Sequence, residues 1–283
     1  MVAFLGMGLL GSNFVKALLN KGYGVNVWNR SPARAQALQP LGAHVFATAA
    51  DAVAGADRVH LTLKDDAAVN EVLAQAEPGL KKGCIIIDHT TTSAEGAVER
   101  TAAWAAKGFT YVHAPVFMGP QNALESTGTM MVSGDPAILA DIVPELEKMT
   151  GKVLNFGTKA GTAAGIKLIG NLFLIAMTAG VSDALSLATG LGIGADDVAT
   201  LFASWNPAGM LPARLQKITS GSFDKPTWEL NMARKDARLM MEAAAAHHKT
   251  LTVIPPIAAH MDALIAEGFG QYDWTVIAKD ALA

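Results

Sequence analysis

A single cysteine, Cys84, stands among 283 residues, so no disulfide can form within the chain and disulfide-framed secreted folds are excluded. It opens the run Cys84-Ile85-Ile86-Ile87, which predicts a buried, inert thiol. Charge is scarce too. Charged residues make up 17% and the net charge is −3, with no run of one sign, so neither nucleic acid nor a membrane surface is expected as a partner. Internal repeats and low-complexity tracts are lacking, and 51% hydrophobic residues exclude a disordered chain. The first strand begins at once, leaving no stretch that reads as a signal peptide, and the expectation is a cytoplasmic protein. The most apolar helical stretch, around Leu172 to Val181, is bounded by Lys167, Asn171 and Asp183. It reads as too short for a bilayer and as a buried core helix. The length is too great for one small core and predicts two domains.

What is present begins with Val2 to Leu5, a continuous apolar run suited to a buried parallel strand. Gly6-Met7-Gly8-Leu9-Leu10-Gly11 follows and fits G-x-G-x-x-G. Ser12 to Asn20 then reads as a helix with Phe14, Val15, Leu18 and Leu19 in an apolar stripe. Gly6 permits the tight turn, Gly8 lets a pyrophosphate approach the backbone, and Gly11 lets helix and strand pack closely. The helix start offers N–H groups and a positive dipole end to phosphates.

The second strand, Gly24 to Trp28, is followed by Asn29-Arg30-Ser31-Pro32. An NAD-binding fold commonly places an acid here for the ribose 2′-OH; this chain has none. Arg30 reads as a partner for adenine and a 2′-phosphate, with Ser31 as a further donor and Arg34 one turn beyond. The alternative is a solvated basic turn in which Ser31 caps the next helix. The expected cofactor is therefore NADP(H).

Strands and helices then alternate. Strands are expected at Ala43 to Phe46, Arg58 to Leu63, Cys84 to Asp88, Phe109 to Ala114, Met130 to Ser133 and Val153 to Phe156. Helices are expected at Thr48 to Ala54, Asp65 to Gln75 and Ser93 to Lys107. Such alternation predicts an α/β fold, a Rossmann-type doubly wound parallel sheet with strands one and four ending beside one crevice. After Gly157 the pattern becomes helical, at Ile166 to Leu187, Asp196 to Phe202, Leu230 to Ala246 and Ile257 to Ile265. The expected division is residues 1–158 as an NADP-binding domain and 159–283 as an all-α substrate and dimerisation domain. His247 and His248 read as a helix end; adjacent helical histidines do not converge on a metal, and no metal site is expected.

Lys167 and Asn171 lie four apart on an otherwise apolar helix, so they share a face. A lysine in such surroundings reads as a general acid/base with lowered proton affinity, Asn171 orienting it or the substrate. The other reading is a lysine that snorkels from the helix start.

Four stretches in this order resemble the β-hydroxyacid dehydrogenases, relatives of 3-hydroxyisobutyrate and 6-phosphogluconate dehydrogenase. They are Gly6 to Gly11, Asp88-His89-Thr90-Thr91, Gly165-Ile166-Lys167-Leu168-Ile169-Gly170-Asn171, and Lys235-Asp236, with His113-Ala114-Pro115-Val116 as a looser fifth. The resemblance covers nearly the whole chain. It implies that Lys167 gives a proton in carbonyl reduction or takes one in alcohol oxidation, and that Asn171 holds the reacting oxygen. It implies that Thr91 sits near the nicotinamide ribose and substrate, and that the backbone at Leu63 and Lys64 passes that ribose. Lys235 would close the pocket and attract a substrate carboxylate, and Asp236 would hold the local helix. Asn29-Arg30-Ser31 is similar to the NADP-preferring glyoxylate and succinic semialdehyde reductases. In the family a Ser-Gly-Gly loop binds the carboxylate. Here it reads Phe117-Met118-Gly119, which removes a hydroxyl and adds apolar bulk, so a larger or less charged substrate, or binding through N–H groups alone, is expected. His113 replaces an acid, and Lys64 stands where proline is common.

The sequence therefore implies an NADP(H)-dependent oxidoreductase passing hydride between nicotinamide and a small carbonyl or hydroxy compound, in a cleft between the two domains. The Gly161-to-Leu187 helix looks too long for its own domain to bury, which predicts a homodimer or homotetramer through it. An imine reductase of the same architecture is the nearest rival. A cofactor-binding sensor without turnover is the next, and a purely structural module the last.

Overall fold

The apolar run at the start of the chain becomes β1 (Val2–Leu5), buried along its whole length. It belongs to a computed structural model that describes residues 1–282. The chain continues through α1 (Leu9–Asn20), β2 (Val25–Trp28), α2 (Pro32–Gln36), β3 (His44–Val45), α3 (Ala49–Val53) and β4 (Arg58–Leu61). Next come α4 (Asp66–Ala76), β5 (Ile85–Asp88), α5 (Ala94–Ala106) and β6 (Thr110–His113). The side chains of Thr48, Asp65 and Ser93 cap α3, α4 and α5, each accepting a backbone N–H of the first turn. These six strands form one parallel sheet in the order β3-β2-β1-β4-β5-β6. The strand order reverses at β1, and β1 lies beside β4 with Leu5 opposite Leu61, as the sequence predicts. Alternation sorts the side chains. Val2 and Phe4 pack with Phe14, Val15 and Leu18 of α1, while Ala3 and Leu5 face Val53 of α3 and Val69 and Leu73 of α4. Cys84 is buried just before β5, and desolvation pushes its thiol up to about 11.

The later strands correct the expectation of a single sheet. After β6 the chain runs through β7 (Val116–Phe117), α6 (Pro120–Glu125), β8 (Thr129–Val132), α7 (Pro136–Leu146) and β9 (Lys152–Asn155). β7, β8 and β9 form their own sheet, with β7 antiparallel to β8. Pro115 has no N–H to offer a ladder and separates β6 from β7; its carbonyl accepts the Met131 N–H at 2.9 Å. Val116, Met130 and Val132 join the same core as Phe4 and Phe14.

A second correction concerns α8 (Thr162–Gly190). Its 29 residues match the expected Gly161-to-Leu187 helix, but Lys167, Asn171 and Asp183, expected to bound its apolar stretch as a short helix, lie inside it. At 1.5 Å per residue it is about 43 Å long, and by length and composition alone it is able to cross a membrane. Nor is it a buried core helix in the single chain. Leu172, Phe173, Leu174 and Ile175 are all exposed, Leu172 at 69% and Ile175 at 70%. The residues fall into two compact units, Met1–Leu172 and Phe173 onward, which divide within α8.

The second unit adds α9 (Ala195–Ser204), α10 (Leu211–Ser220), α11 (Leu230–Ala246) and α12 (Ile254–Leu264). Its core gathers Phe223, Leu230, Ala233, Met261, Leu264 and Val276. Two buried carboxylates tie it together. Asp183 accepts the N–H groups of Thr252, Val253 and Ile254 at 2.8–3.2 Å, closing the start of α12. Asp273 accepts from Lys217 Nζ at 2.7 Å and the Thr227 N–H at 2.8 Å. α11 ends at its cap His247, as expected.

Three histidines are buried in the first unit: His60, His89 and His113. His89 Nδ1 lies 2.8 Å from the Ala114 carbonyl, so that nitrogen carries the proton. Its Nε2 is then the acceptor for His60 Nδ1–H at 2.9 Å. Both rings stack with Phe4. His113 donates from Nε2 to the Thr90 carbonyl at 2.9 Å, and its Nδ1 has no partner among the described residues. It is a buried neutral imidazole that links β6 to the loop after β5, not a surface charge. Burial holds all three below the ordinary histidine range, His89 at about 4.

The sign for stability follows. The unfolded chain binds protons at these histidines below pH 6.5 and the folded chain does not, so stability is full above pH 6.5 and declines toward pH 4. His89 alone is expected to cost about 2 kcal/mol at pH 5. Urea unfolding followed at pH 7, 6 and 5 checks this; midpoints that do not move would contradict the neutral histidine cluster.

Candidate functional site

The glycine turn after β1 is tied to both neighbouring strands. Gly6, at φ +99°, donates its N–H to the Trp28 carbonyl at 2.9 Å. Its own carbonyl accepts from Thr62 Oγ1 at 2.8 Å, and the Met7 N–H donates to Asn29 Oδ1 at 2.8 Å. Gly11 closes the packing: a Cβ there would collide with the Gly6 carbonyl and Thr62 Oγ1. Gly8 is different, because a Cβ there would meet nothing within 4 Å. Protein packing does not demand glycine at residue 8, and the backbone there is left open to the approach of a bound group. Gly8 is also the N-cap of α1 and supplies no side-chain cap, so first-turn N–H groups stay available to an anion.

A cavity of about 530 Å³ opens beside this turn. Gly6, Gly8, Asn29, Arg30, Ser31 and Arg34 line one side, and Leu63, Lys64, Asp65 and Glu71 another. Asn29 is committed to the scaffold, accepting from Met7 and donating Nδ2 to the Ser31 carbonyl at 2.8 Å. Arg30, Ser31 and Arg34 are exposed, and neither arginine enters an ion pair among the described residues. Ser31 stands at the N-cap of α2 without a side-chain cap bond, so its hydroxyl is not spent there. Lys64 is 88% exposed at its side chain and lies 3.6 Å from Asp65. The Leu63 N–H is held by Thr90 Oγ1 at 2.9 Å. The fit to a dinucleotide is good: an open backbone at Gly8, uncapped N–H groups, and two arginines at the cavity that are unpaired among the described residues. Of the other residues expected at the cofactor, the Met7 side chain is buried in the core, Leu9 is 78% exposed at the start of α1, and Leu10 packs partly against the core.

Three contributors escaped sequence reasoning. Thr62 and Thr90 fix the turn and the Leu63 backbone, and Glu71 brings an acid to the cavity from α4. Thr62 follows β4 directly, so the adjacency of β1 and β4 was the signal that pointed to it.

Of the second group of predicted residues, Lys167 and Phe117 meet at the start of α8, with Asn171 on the same helix. Lys167 and Asn171 are both half-buried one turn apart. No carboxylate pairs with Lys167 among the described residues. Its Nζ lies 4.0 Å from the centre of the Phe117 ring, and burial alone lowers its proton affinity. Phe117 does not sit in a loose loop: it pairs with Thr129 across β7 and β8. Met118 follows, packed against the core. The Gly119 N–H donates to Asn122 Oδ1 at 2.9 Å, so it is not available for a substrate carboxylate. Thr91 is exposed between buried Thr90 and Thr92. Lys235 belongs to the second unit, on α11, where its ammonium lies 2.9 Å from Asp236.

The family model for the NAD binding domain of 6-phosphogluconate dehydrogenase matches residues 1–157. A probable 3-hydroxyisobutyrate dehydrogenase of Mycobacterium tuberculosis is 30% identical over 270 residues, covering 92% of this chain and 89% of the relative. The cytokine-like nuclear factor N-PAC of Homo sapiens is 27% identical over 254 residues, covering 88% of this chain and 46% of the relative. Among solved structures, an imine reductase from Myxococcus stipitatus in complex with NADP+ superposes with a TM-score of 0.92 at 20% identity over 99% of both chains, a likeness of fold.

The two glycines of the turn are expected to behave differently when given a methyl group. Gly8→Ala costs at most about 1 kcal/mol of stability but loses dinucleotide affinity. Gly11→Ala loses both, with about 1–3 kcal/mol of destabilisation from overpacking. Thermal unfolding and dinucleotide titration of each variant check this, and unaltered binding in Gly8→Ala would contradict the phosphate approach.

Proposed function

Because the chain belongs to the β-hydroxyacid dehydrogenase family, we propose that this NAD(P)-binding oxidoreductase is an NADP(H)-dependent enzyme reducing a small carbonyl compound, or oxidising the matching alcohol. The observation that carries this reading is Lys167: a half-buried ammonium with no acidic partner among the described residues, one turn from Asn171 on the same helix. Functionally, residues 1–158 hold NADP(H) and residues 159–283 contribute to the substrate site and to assembly.

A nicotinamide cofactor held by the Gly6 to Gly11 turn would supply or accept the hydride. Everything else falls to this chain's side chains. Lys167 donates a proton from Nζ to the carbonyl oxygen as negative charge develops there, and takes it back in the oxidative direction. Partial desolvation makes that ammonium a stronger acid than one in water. Asn171 orients the reacting oxygen with its amide N–H. Gly6 to Gly11 seats the pyrophosphate on the start of α1, and the Leu63 and Lys64 backbone passes the ribose. Arg30, Ser31 and Arg34 hold the adenosine 2′-phosphate, since β2 ends without an acid. Thr91 contacts substrate and nicotinamide ribose. Phe117 and Met118 present apolar surface, and the Gly119 N–H is already bonded, so the substrate is larger or less charged than a small hydroxy acid.

A second reading follows from the same apolar surface: reduction of an imine, the chemistry named for the Myxococcus stipitatus relative. Lys167 favours the oxygen substrate. An NADPH-oxidation screen of small aldehydes, 2-keto acids and cyclic imines separates the two, and binding without any turnover would leave a sensor.

We also place a second copy of this chain over the exposed apolar residues of α8, giving a homodimer or a tetramer built from it. Detergent-free size measurement at micromolar concentration is expected to show no monomer; a purely monomeric species would exclude this assembly.

Lys167→Ala is expected to leave NADPH binding nearly intact and to lower turnover by about two to four orders of magnitude. An unchanged rate would remove the acid role. Arg30→Ala should weaken NADPH about tenfold or more and leave NADH almost unaffected; equal losses for both cofactors would exclude 2′-phosphate recognition.

A further inference from the structure

We propose that Phe117 is a positioning residue for Lys167, its ring seated on the backbone of α8 at Gly170 and holding the ammonium over its π face. The proposal rests on the reading of Lys167 as the proton donor and goes beyond it in naming what holds the donor.

The ring is fixed from two directions. Its own backbone is in the β7–β8 ladder opposite Thr129. On α8, Gly170 makes the room, because a Cβ there would collide with the tip of the Phe117 ring. Lys167 and Gly170 are three apart and therefore meet the same ring from one face of the helix. The resulting separation of 4.0 Å between Nζ and the ring centre is well inside the range of cation–π attraction. No carboxylate of the described residues pairs with Lys167, so no charged side chain competes with the ring as its anchor.

One ring then has two opposed effects. It shields the amine from water, which disfavours the ammonium. Its negative face attracts the ammonium, which favours it. The attraction exists only for the charged form, so Lys167 has a defined seat before it gives up its proton and none afterwards. A ring present only as packing would have the first effect and not the second, and this separates the two roles. Leucine keeps the apolar shield and loses the π face; tyrosine keeps both.

The test follows Lys167 itself, not turnover. The full-length protein is trace-labelled with an amine-specific acylating reagent over a pH series, and the Lys167 peptide is quantified by mass spectrometry. Wild type is compared with Phe117→Leu, Phe117→Met and Phe117→Tyr, each checked for fold by circular dichroism. Phe117→Leu and Phe117→Met, which keep apolar bulk without a π face, are expected to lower the Lys167 midpoint by roughly half to one and a half pH units, and Phe117→Tyr to keep it. A wild-type midpoint in Phe117→Leu, or a fall as large in Phe117→Tyr, overturns the proposal. Should Phe117→Leu fail to fold, Phe117→Met against Phe117→Tyr decides by the same two outcomes. Lys167→Met assayed for turnover keeps the readings apart: full turnover there would defeat the acid role while the labelling result still judges the seat.

Discussion

The contact between Gly11 and Gly6 governs the architecture of the dinucleotide-binding unit. α1 can start where it does only because no side chain stands between its first turn and the carbonyl at the end of β1. That carbonyl is not idle: Thr62 donates to it from the end of β4, while the Met7 N–H reaches Asn29 at the end of β2. Three adjacent strands are thereby locked at their carboxyl ends to one turn. The helix start and the cavity beside it are positioned as consequences. A turn so constrained is rigid, and a rigid set of N–H groups binds phosphate without first paying to order itself.

Behind this turn the sheet carries an unusual amount of buried polarity. The pair His60 and His89 sits among Phe4 and Phe14, and Asp88 accepts from Tyr111 at 2.7 Å and from the Thr90 N–H at 2.9 Å. Arg100 continues the chain, donating Nε to Tyr111 at 2.9 Å and lying 2.8 Å from Asp66. A partly satisfied network would cost more than an apolar core. Here nearly every member has a partner, and the bonds run between β5, β6, α4 and α5, so they fix the loop holding Thr90, Thr91 and Thr92. Proton-binding groups in the fold and the placement of site residues are therefore the same piece of structure.

Much of this was legible in the residues. Apolar runs four long, helix starts at Thr48 and Ser93, and the glycine spacing each report a local constraint, and local constraints survive into the structure. What was not legible depended on partners distant in the chain. The separate β7–β9 sheet arises because Pro115 interrupts the ladder and Val116 finds Met130 instead. The length of α8 is legible as the Gly161-to-Leu187 pattern, but the polar residues flanking its apolar stretch do not end the helix: Asp183 is accommodated inside it because three backbone N–H groups from residues 252–254 converge on it. At the candidate site, Lys167 and Asn171 were visible as a spacing. The ring beside Lys167 was visible only as a substitution, and its seat at Gly170 required knowing that β7 faces α8.

That last juxtaposition is where fold and chemistry meet most closely. A lysine facing an acid would gain a strong anchor, but its proton would be held more tightly and the neighbouring charge would oppose a developing oxyanion. A lysine with no anchor would keep a lowered proton affinity at the cost of wandering among rotamers, and misplacement of a proton donor by about 1 Å can be worth a hundredfold in rate. An aromatic face lies between these limits. Its attraction, about 0.5–2 kcal/mol, is enough to bias a side chain toward one position, while burial acts in the other direction and lowers the amine's proton affinity. Gly170 allows that compromise sterically, and β7 supplies the ring. The small antiparallel pair that departs from the main sheet is thus what brings an aromatic face to the amine.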